Sequence, residues 1–322
     1  MPHREVEFTS GGDTVRGDLL LPDGDGPFPV VVMAGGWCYV KELRQPRYAA
    51  EFVRNGIAAL IFDYRRLGAS DGEPRQHINP WDQIEDYKNA ITFAENVPEV
   101  DASRIGIWGI SYSGGHVLIV GATDPRVKSV VSNVPVIDGY QTMWRMHGTV
   151  RFRKLQHLLL EERRKRFSSG AHSYMPMSGE PDNPNAELTV WPDNDVREVF
   201  SELQATEAPR HQHRNTIEST ELLMQYNAAP YAPRVINVPV MMIVADHDDI
   251  TMWDQEISAY EAIPSSVKEL VVLPSTSHMV LYSNLTALDL AARAAARWYV
   301  QTLANPASAS RMPSGTDLHV SS

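Results

Sequence analysis

The chain has little cysteine and little clustered positive charge. Its main basic run, "EERRKRF" at 161–167, includes two glutamates and is interpreted as a solvated helix face. Cys38 is the single cysteine among 322 residues, so an internal disulfide and a thiolate metal cluster are both excluded. Aspartate and glutamate (40) outnumber lysine and arginine (29), which gives a net charge of −11. Nucleic acids and anionic membranes bind clustered basic residues, so we expect neither as a partner.

Long apolar runs are also missing. No run approaches the length that spans a bilayer, and the N-terminal "MPHREVEFTS" lacks the apolar region of a signal peptide. We therefore expect a cytoplasmic protein with no membrane contact. Residues 305–322 are rich in proline and serine without apolar periodicity, which predicts a flexible C-terminal tail.

Strand and helix patterns alternate in the first half of the chain. An antiparallel pair is predicted at 4–10 and 14–22, joined by a Gly-Gly-Asp turn. A continuous apolar run at 28–34 and three further segments then predict buried strands with helices between them. These strands are 28–34, 57–63, 104–110 and 127–133, and the helices are 45–55 and 81–96. Such alternation predicts an α/β fold with a mostly parallel sheet and helices on both faces.

The alternation stops between residues 138 and 234. This segment has helical patterns around a polar Pro/Asn stretch, and strands resume only at "VPVMMIVAD" and "KELVVLPS", before a closing Ala-rich helix. Because it adds no strand to the sheet, we interpret 138–234 as an inserted helical cap. The core domain is then formed by 1–137 and 235–304.

The motif "GISYSGG" at 109–115 contains a candidate nucleophile, Ser111. Ser111 lies between a buried strand and a helix that begins near Ser113. A turn this sharp strains the backbone and needs small neighbours, as in the G-x-S-x-G nucleophile elbow, here with Ser113 in place of the second glycine. A phosphate-binding loop is excluded because no G-K-[ST] follows. A structural serine in a tight turn remains the alternative.

Acids and a histidine follow the two later strands. "ADHDDIT" comes after 238–244 and "PSTSHMV" after 269–273, at the strand ends where active sites of open α/β sheets gather. His278 would take the proton of Ser111, and an aspartate would orient the imidazole. Asp246, Asp248 and Asp249 compete for that role. We interpret their cluster as a polar loop rather than a metal site.

An oxyanion hole would complete the chemistry. One donor is expected to be the backbone N–H of Tyr112, directly after Ser111. The other is expected to be the N–H of Trp37 in "MAGGWCYV", with Cys38 or the Tyr39 hydroxyl as weaker alternatives. Cys38 itself is not expected to act as a nucleophile, because no histidine or helix start adjoins it.

Five motifs carry a resemblance to a known family: "MAGGWCYV", "FDYRRLGASDGEPR", "GISYSGG", "IVADHDD" and "STSHM". The sequence resembles an α/β-hydrolase over nearly all its length. It is most similar to the dienelactone-hydrolase-like and Xaa-Pro-peptidase/cocaine-esterase-like branch, with its polyketide transferases and thiohydrolases. The resemblance implies a triad of Ser111, Asp248 and His278, with Asp249 as runner-up for the acid, and neither metal nor cofactor.

Three positions depart from the family pattern. Gly35 stands where many relatives have histidine, Ser113 replaces the second elbow glycine, and Ser277 replaces a glycine before the histidine. None removes a reacting group. The change at Gly35 could alter how the oxyanion loop is held.

The leading functional hypothesis is a serine hydrolase that forms an acyl-enzyme on Ser111. Its expected partner is a small hydrophobic ester, lactone or thioester. Acyl transfer and C–C bond hydrolysis are alternatives on the same triad, and a non-catalytic binding protein is the alternative of another class. A homo-oligomer is compatible with the sequence. Substrate-pocket candidates are Cys38, Tyr39, Met143, Trp144 and His147, although such side chains fill cores equally well.

Overall fold

The central sheet collects the apolar runs that the sequence places in buried strands. In this computed structural model, which describes residues 3–179 and 188–305, the sheet has eight strands. They are β1 (His3–Ser10), β2 (Asp13–Leu20), β3 (Phe28–Ala34), β4 (Ala58–Phe62), β5 (Val100–Ile110), β6 (Val127–Asn133), β9 (Val240–Ala245) and β10 (Lys268–Leu273). Every residue of β4 and β9 is buried, as expected of strands covered on both faces.

The strand order is β1-β2-β4-β3-β5-β6-β9-β10. The first two strands are antiparallel to their neighbours, and β4, β3, β5, β6, β9 and β10 pair in parallel. The carboxyl ends of the parallel strands therefore share one edge of the sheet, and the loops that follow β3, β5, β9 and β10 meet there.

Helices cover the sheet in layers. They are α1 (Gln45–Arg54), α2 (Pro80–Glu95), α3 (Tyr112–Thr123), α7 (Trp253–Ala262), α8 (Val280–Ser283) and α9 (Leu285–Tyr299). α1 packs against α9, and α2 packs against α3. The α/β architecture predicted from the alternation of patterns is confirmed. The closing helix differs in one detail, because Val300–Ala304 continues as a π-helix.

The segment between β6 and β9 adds no strand to the central sheet. It contains α4 (Gly139–Ser169), α5 (Asn194–Thr206), α6 (Ile217–Gln225) and a 3₁₀ helix, Ala229–Arg234. It also contains an antiparallel pair, β7 (Tyr174–Pro176) with β8 (Arg214–Thr216), which the expectation of a purely helical cap did not include. Strands of three residues are too short to show a period-2 pattern.

Two sequence expectations touch residues without a described structure. Of the predicted C-terminal tail, 306–322 lies outside the described residues, as does 180–187 in the Pro/Asn stretch of the cap. Within the described part of the chain, no helix combines the length and apolar character that a bilayer span requires.

Candidate active site

Ser111 occupies a strained turn between β5 and α3. Its backbone has φ 57° and ψ −118°, a region that a residue with a side chain adopts only when its surroundings impose it. Asn133 at the end of β6 accepts a hydrogen bond from the Ser111 N–H (2.9 Å), and the Val136 N–H donates to the Ser111 carbonyl (3.0 Å). A Cβ on Gly109 would lie 2.2 Å from the Ser113 carbonyl oxygen, so the turn requires that glycine.

His278 and Asp248 come together beside this turn. His278 Nε2 lies 3.2 Å from Ser111 Oγ, and His278 Nδ1 lies 2.8 Å from Asp248 Oδ2. Because a carboxylate can only accept, Nδ1 carries the proton and Nε2 is free to accept one from the serine. Each of the three residues is at most 6% exposed. The fold therefore brings these three residues, which are distant in the sequence, into one hydrogen-bonded series.

Asp248 is held as an anion. Burial acts to raise its pKa, but the charge and hydrogen bond of His278 act against it, and so do hydrogen bonds from Thr251. The net pKa of Asp248 lies below its ordinary value. Its second oxygen, Oδ1, accepts hydrogen bonds from the N–H groups of Ile250 (2.9 Å) and Thr251 (2.7 Å).

The neighbouring acids are placed differently. Asp246 and His247 are exposed and pair with each other (2.9 Å), and Asp249, the runner-up for the acid, is exposed as well. Asp248 is the member of the loop whose carboxylate reaches His278, since the backbone between β9 and Thr251 turns it inward.

The loop after β3 lies directly against Ser111. A Cβ added to Gly36 would lie 2.8 Å from Ser111 Cβ and 3.2 Å from Ser111 Oγ, so only a glycine permits this approach. Trp37 follows at once. Tyr112 is the first residue of α3, where backbone N–H groups have no intrahelical acceptor. Both predicted oxyanion donors thus belong to segments that adjoin the serine hydroxyl.

Two departures from the family pattern acquire a physical explanation. A Cβ on Gly35 would lie 1.8 Å from the Tyr39 ring, so Tyr39 excludes any side chain there. The Ser113 hydroxyl hydrogen-bonds to the Gly35 carbonyl oxygen and lies 2.5 Å from the Tyr64 hydroxyl. Ser113 is therefore more than a small residue in place of glycine, because it joins the elbow to the loop after β3.

A second carboxyl behind the acid was missed by sequence reasoning. The Thr251 hydroxyl donates to Glu256 Oε1 (2.7 Å) and lies 3.4 Å from His278 Nδ1. Burial, and then the charge of Asp248, raise the pKa of Glu256 well above its ordinary value. Glu256 lies on α7, eight residues beyond Asp248, and no motif marks it.

An apolar cavity opens beside Ser111 and His278. The cap provides one wall and the core the other, and the described residues that line it besides Ser111 and His278 are Trp37, Tyr39, Met177, Trp191, Val196, Phe200, Ile250, Met279 and Tyr282. Ile250 and Met279 could have been found as neighbours of Asp248 and His278 in the sequence. The four cap residues carry no such signal.

Four of the five predicted pocket residues do not line this cavity, and only Tyr39 does. Met143 is buried, and Trp144 is 46% exposed. His147 is bound to the carbonyl oxygens of Met143 and Thr189, each at 2.9 Å. Their side-chain types and their place at the start of the cap suit a pocket and cap packing equally, and the sequence does not distinguish the two. Cys38 is buried behind the lining, and burial raises the pKa of its thiol, which disfavours a nucleophilic thiolate.

Among the residues with a described structure, one group of side chains outside this region offers metal-ligand atoms. His77, His172 and Glu218 place such atoms within 4.8 Å of one another. These atoms already have partners in the protein: Glu218 pairs with Arg166 and with His172, and His77 Nδ1 lies 3.0 Å from the Thr216 hydroxyl. We therefore interpret these three side chains as part of the packing between the cap and the core.

The chain is similar to several known proteins. The chain is 30% identical over 267 residues to the thiohydrolase aneE of Aspergillus aculeatus, which covers 81% of the chain and 82% of that relative. It is 36% identical over 159 residues to the quorum-quenching protein AidA of Acinetobacter baumannii, but this match spans about half of each protein, 49% of the chain and 52% of AidA.

Solved structures show the same fold. The α/β-hydrolase GrgF from Penicillium sp. sh18 superimposes with a TM-score of 0.79 at 24% identity, over 94% of this chain and 100% of that one. The family model described as X-Pro dipeptidyl-peptidase (S15 family) matches residues 11–279. With the elbow, the parallel sheet and this match over most of its length, the chain belongs to the S15 family and has the α/β-hydrolase fold.

Proposed function

We propose that this protein is a serine hydrolase that cleaves thioesters or carboxylic esters of hydrophobic acids through an acyl-enzyme on Ser111. The observation that carries the proposal is the hydrogen-bonded series from Ser111 Oγ through His278 to Asp248, at the wall of an apolar cavity. Serine, histidine and aspartate in this order form the catalytic triad of many unrelated hydrolases.

The proton moves along this series. Ser111 Oγ attacks the acyl carbonyl carbon while His278 Nε2 accepts the hydroxyl proton. Asp248 stabilises the resulting imidazolium and fixes its Nδ1–H, because the carboxylate is ionised and already holds two backbone N–H groups on its other oxygen. His278 then protonates the leaving thiol or alcohol. In the second half, water attacks the acyl-enzyme with His278 as base, and the acid is released.

The negative charge on the carbonyl oxygen needs donors on the side away from His278. The N–H groups of Trp37 and Tyr112 suit this task, because one segment passes against Ser111 and the other begins α3. The positive end of the α3 dipole adds to the stabilisation of an oxyanion at this point.

The lining of the cavity supports a hydrophobic acyl group. Trp37, Trp191 and Phe200 contribute aromatic surface, and Met177 and Met279 contribute flexible apolar surface. The thiohydrolase name of a relative that aligns over most of this chain favours a thioester.

Replacement of Ser111 by alanine tests the proposal. We expect Ser111→Ala to lose turnover of p-nitrophenyl butyrate and of a short acyl-thioester by about 10⁴-fold or more. A fluorophosphonate probe should label the wild-type protein at Ser111 and leave the variant unlabelled, as intact-mass and peptide mass spectrometry would show. Full turnover by Ser111→Ala, or no labelling of folded wild type, would refute the acyl-enzyme.

The same assay separates the alternatives. Products are compared with and without an added alcohol or amine, and a transferred acyl group in place of free acid would favour acyl transfer over hydrolysis. Gly-Pro-p-nitroanilide should be assayed as well, because the matching family model is described as an X-Pro dipeptidyl-peptidase. Its cleavage in preference to the thioester would overturn the proposed substrate class.

A further inference from the structure

Three hydrogen bonds connect residues 211–215 of the cap to Trp37 and Cys38 in the loop after β3. We call cap residues 211–215 the clamp segment. His211 Nδ1 lies 3.0 Å from the Cys38 carbonyl oxygen, the Trp37 indole N–H donates to Asn215 Oδ1 (3.1 Å), and the Cys38 thiol lies 3.4 Å from the Arg214 carbonyl oxygen. The clamp segment therefore forms hydrogen bonds with two consecutive residues of the loop. They involve the Trp37 side chain and both the backbone and the side chain of Cys38.

The loop backbone that the clamp segment contacts is strained at Cys38. Cys38 has φ 53°, in the left-handed region where a side chain is unfavourable, and it is not a glycine. Gly35, three residues earlier, cannot carry a side chain that would stabilise the loop, because the Tyr39 ring occupies that space. The clamp segment contributes to holding this conformation, together with the hydrogen bond from the Ser113 hydroxyl to the Gly35 carbonyl oxygen and the one from the Tyr39 N–H to the Gly36 carbonyl oxygen (3.4 Å).

The histidine at the start of the clamp segment has a defined proton arrangement. A carbonyl oxygen only accepts, so His211 Nδ1 donates to Cys38 and its Nε2 is an acceptor. That nitrogen lies 3.4 Å from His213 Nδ1, and His213 Nε2 lies 2.6 Å from the Ser178 hydroxyl, which donates to it. Burial lowers the pKa of His211 to about 4, so it is neutral in neutral solution.

The clamp segment also adjoins the cavity. The Phe200 ring packs on the His211 ring with a centroid distance of 5.0 Å, and Phe200 lines the cavity. The Trp37 ring packs on Tyr112, the residue that carries the other expected oxyanion donor, at 5.2 Å. The two donors and the cap thus form one packed unit.

We propose that His211 and Asn215 are positioning residues that hold the Trp37 N–H in the oxyanion hole, so that a correctly docked cap is required for full transition-state stabilisation. This inference rests on the proposed function. It assigns the cap a part in catalysis that covering the cavity alone does not require.

Variants at His211 provide the test. His211→Ala removes the donor to Cys38, whereas His211→Asn keeps an N–H donor at the δ position. His172→Ala is the matched control, a cap histidine whose partner is Glu218 and which does not contact the loop. We expect His211→Ala to lower kcat at least about tenfold with KM changed less than about threefold, because the contact acts on the oxyanion and not on the acyl group.

Two further measurements exclude a general structural effect. Phenylboronic acid forms a tetrahedral adduct with a nucleophilic serine and places an oxygen in the oxyanion hole. Its inhibition constant should rise at least about tenfold in His211→Ala and recover most of the way in His211→Asn. Asn215→Leu, which removes the acceptor for the Trp37 indole, should move kcat and boronate inhibition in the same direction. His172→Ala should leave both unchanged.

The outcomes are distinct. Unchanged kcat and boronate inhibition in folded His211→Ala and Asn215→Leu would overturn the proposal, and so would a rise in KM alone. If His211→Ala does not fold, His211→Asn and Asn215→Leu decide by the same criteria. Turnover that survives in Ser111→Ala would refute the proposed function itself. Loss of turnover there, combined with unaffected clamp variants, would refute only the positioning role.

Discussion

The two halves of the cavity are built in different ways. On the core side, Ser111, Asp248 and His278 each follow a strand of one parallel sheet, and local backbone geometry holds them: a strained turn at Ser111 and two N–H groups on Asp248. On the cap side, Met177, Trp191 and Phe200 lie outside the sheet, within 177–200, and their side chains are buried by packing against other apolar side chains.

This contrast separates chemistry from recognition. A reacting group must be placed to within a fraction of an ångström, which a rigid strand end can do. A binding wall needs only apolar surface of the right shape, which a cap can vary without disturbing the sheet. The clamp segment is the exception, since it brings a cap element into contact with the loop that serves the reaction. Each prediction below addresses one side of this contrast.

Asp248→Asn should have the largest effect. The amide keeps the shape but cannot stabilise the imidazolium or keep the required tautomer of His278, so kcat should fall by about 10⁴-fold. Asp249→Asn is the matched control one residue away, on an exposed carboxylate, and should retain kcat within about threefold. Steady-state kinetics of both variants decide, and the reverse order of effects would move the acid to Asp249.

Gly36→Ala should have the next largest effect on kcat. The added Cβ would meet Ser111 Cβ at 2.8 Å, so the loop and the nucleophile must separate, and we expect kcat to fall by about 10²-fold. Gly121→Ala is the control: it lies in α3, and its new methyl would meet the side chain of Val130. Wild-type kcat in Gly36→Ala would show that the loop takes no part in the reaction.

Phe200→Leu tests the cap wall. A smaller side chain enlarges the cavity, so KM for a short acyl substrate should rise about tenfold while kcat changes less than about threefold. Phe167→Leu makes the same substitution on the same cap at a side chain that is 95% exposed, and should change neither parameter. A loss confined to kcat in Phe200→Leu would contradict the division between chemistry and recognition.

Glu256→Gln should affect stability rather than the reacting groups. Burial raises the pKa of Glu256 in the folded chain. In the unfolded chain this carboxyl has the ordinary glutamate pKa of about 4.3. Above that pH the folded state keeps a proton that the unfolded state has lost, so this residue makes folding less favourable as pH rises.

The variant removes that dependence. The melting temperature of Glu256→Gln minus that of wild type should therefore increase with pH from about 4.3 upward. Glu261→Gln changes an exposed glutamate of the same helix, and its difference from wild type should stay flat. A flat difference for Glu256→Gln as well would show that Glu256 is ionised in the folded protein.

Much of the core could be predicted because its signals are local. The buried strands β3, β4 and β9 appear as continuous apolar runs, and the small residues after β5 mark the elbow. The order of serine, acid and histidine after three strands was sufficient to select Ser111 and His278. Asp248 needed the family resemblance as well, since three acids share its loop.

The cap resisted prediction for a physical reason. Side-chain type made Met143, Trp144 and His147 candidates for the pocket, yet Met143 and His147 are buried while Trp144 is exposed. The strands β7 and β8 have three residues each, and their pairing joins positions about 40 apart. Contacts of this kind leave no periodic trace in a sequence.

The sequence alone thus determined the fold class, the position of the elbow and the set of groups that could react, because each depends on local pattern or on order along the chain. The tertiary structure decided the rest. It selected Asp248 by its contact with His278, brought cap residues into the wall of the cavity, gave Ser113 a hydrogen-bonding role and set the clamp segment on the oxyanion loop. These depend on distances between residues far apart in the chain, which only packing can set.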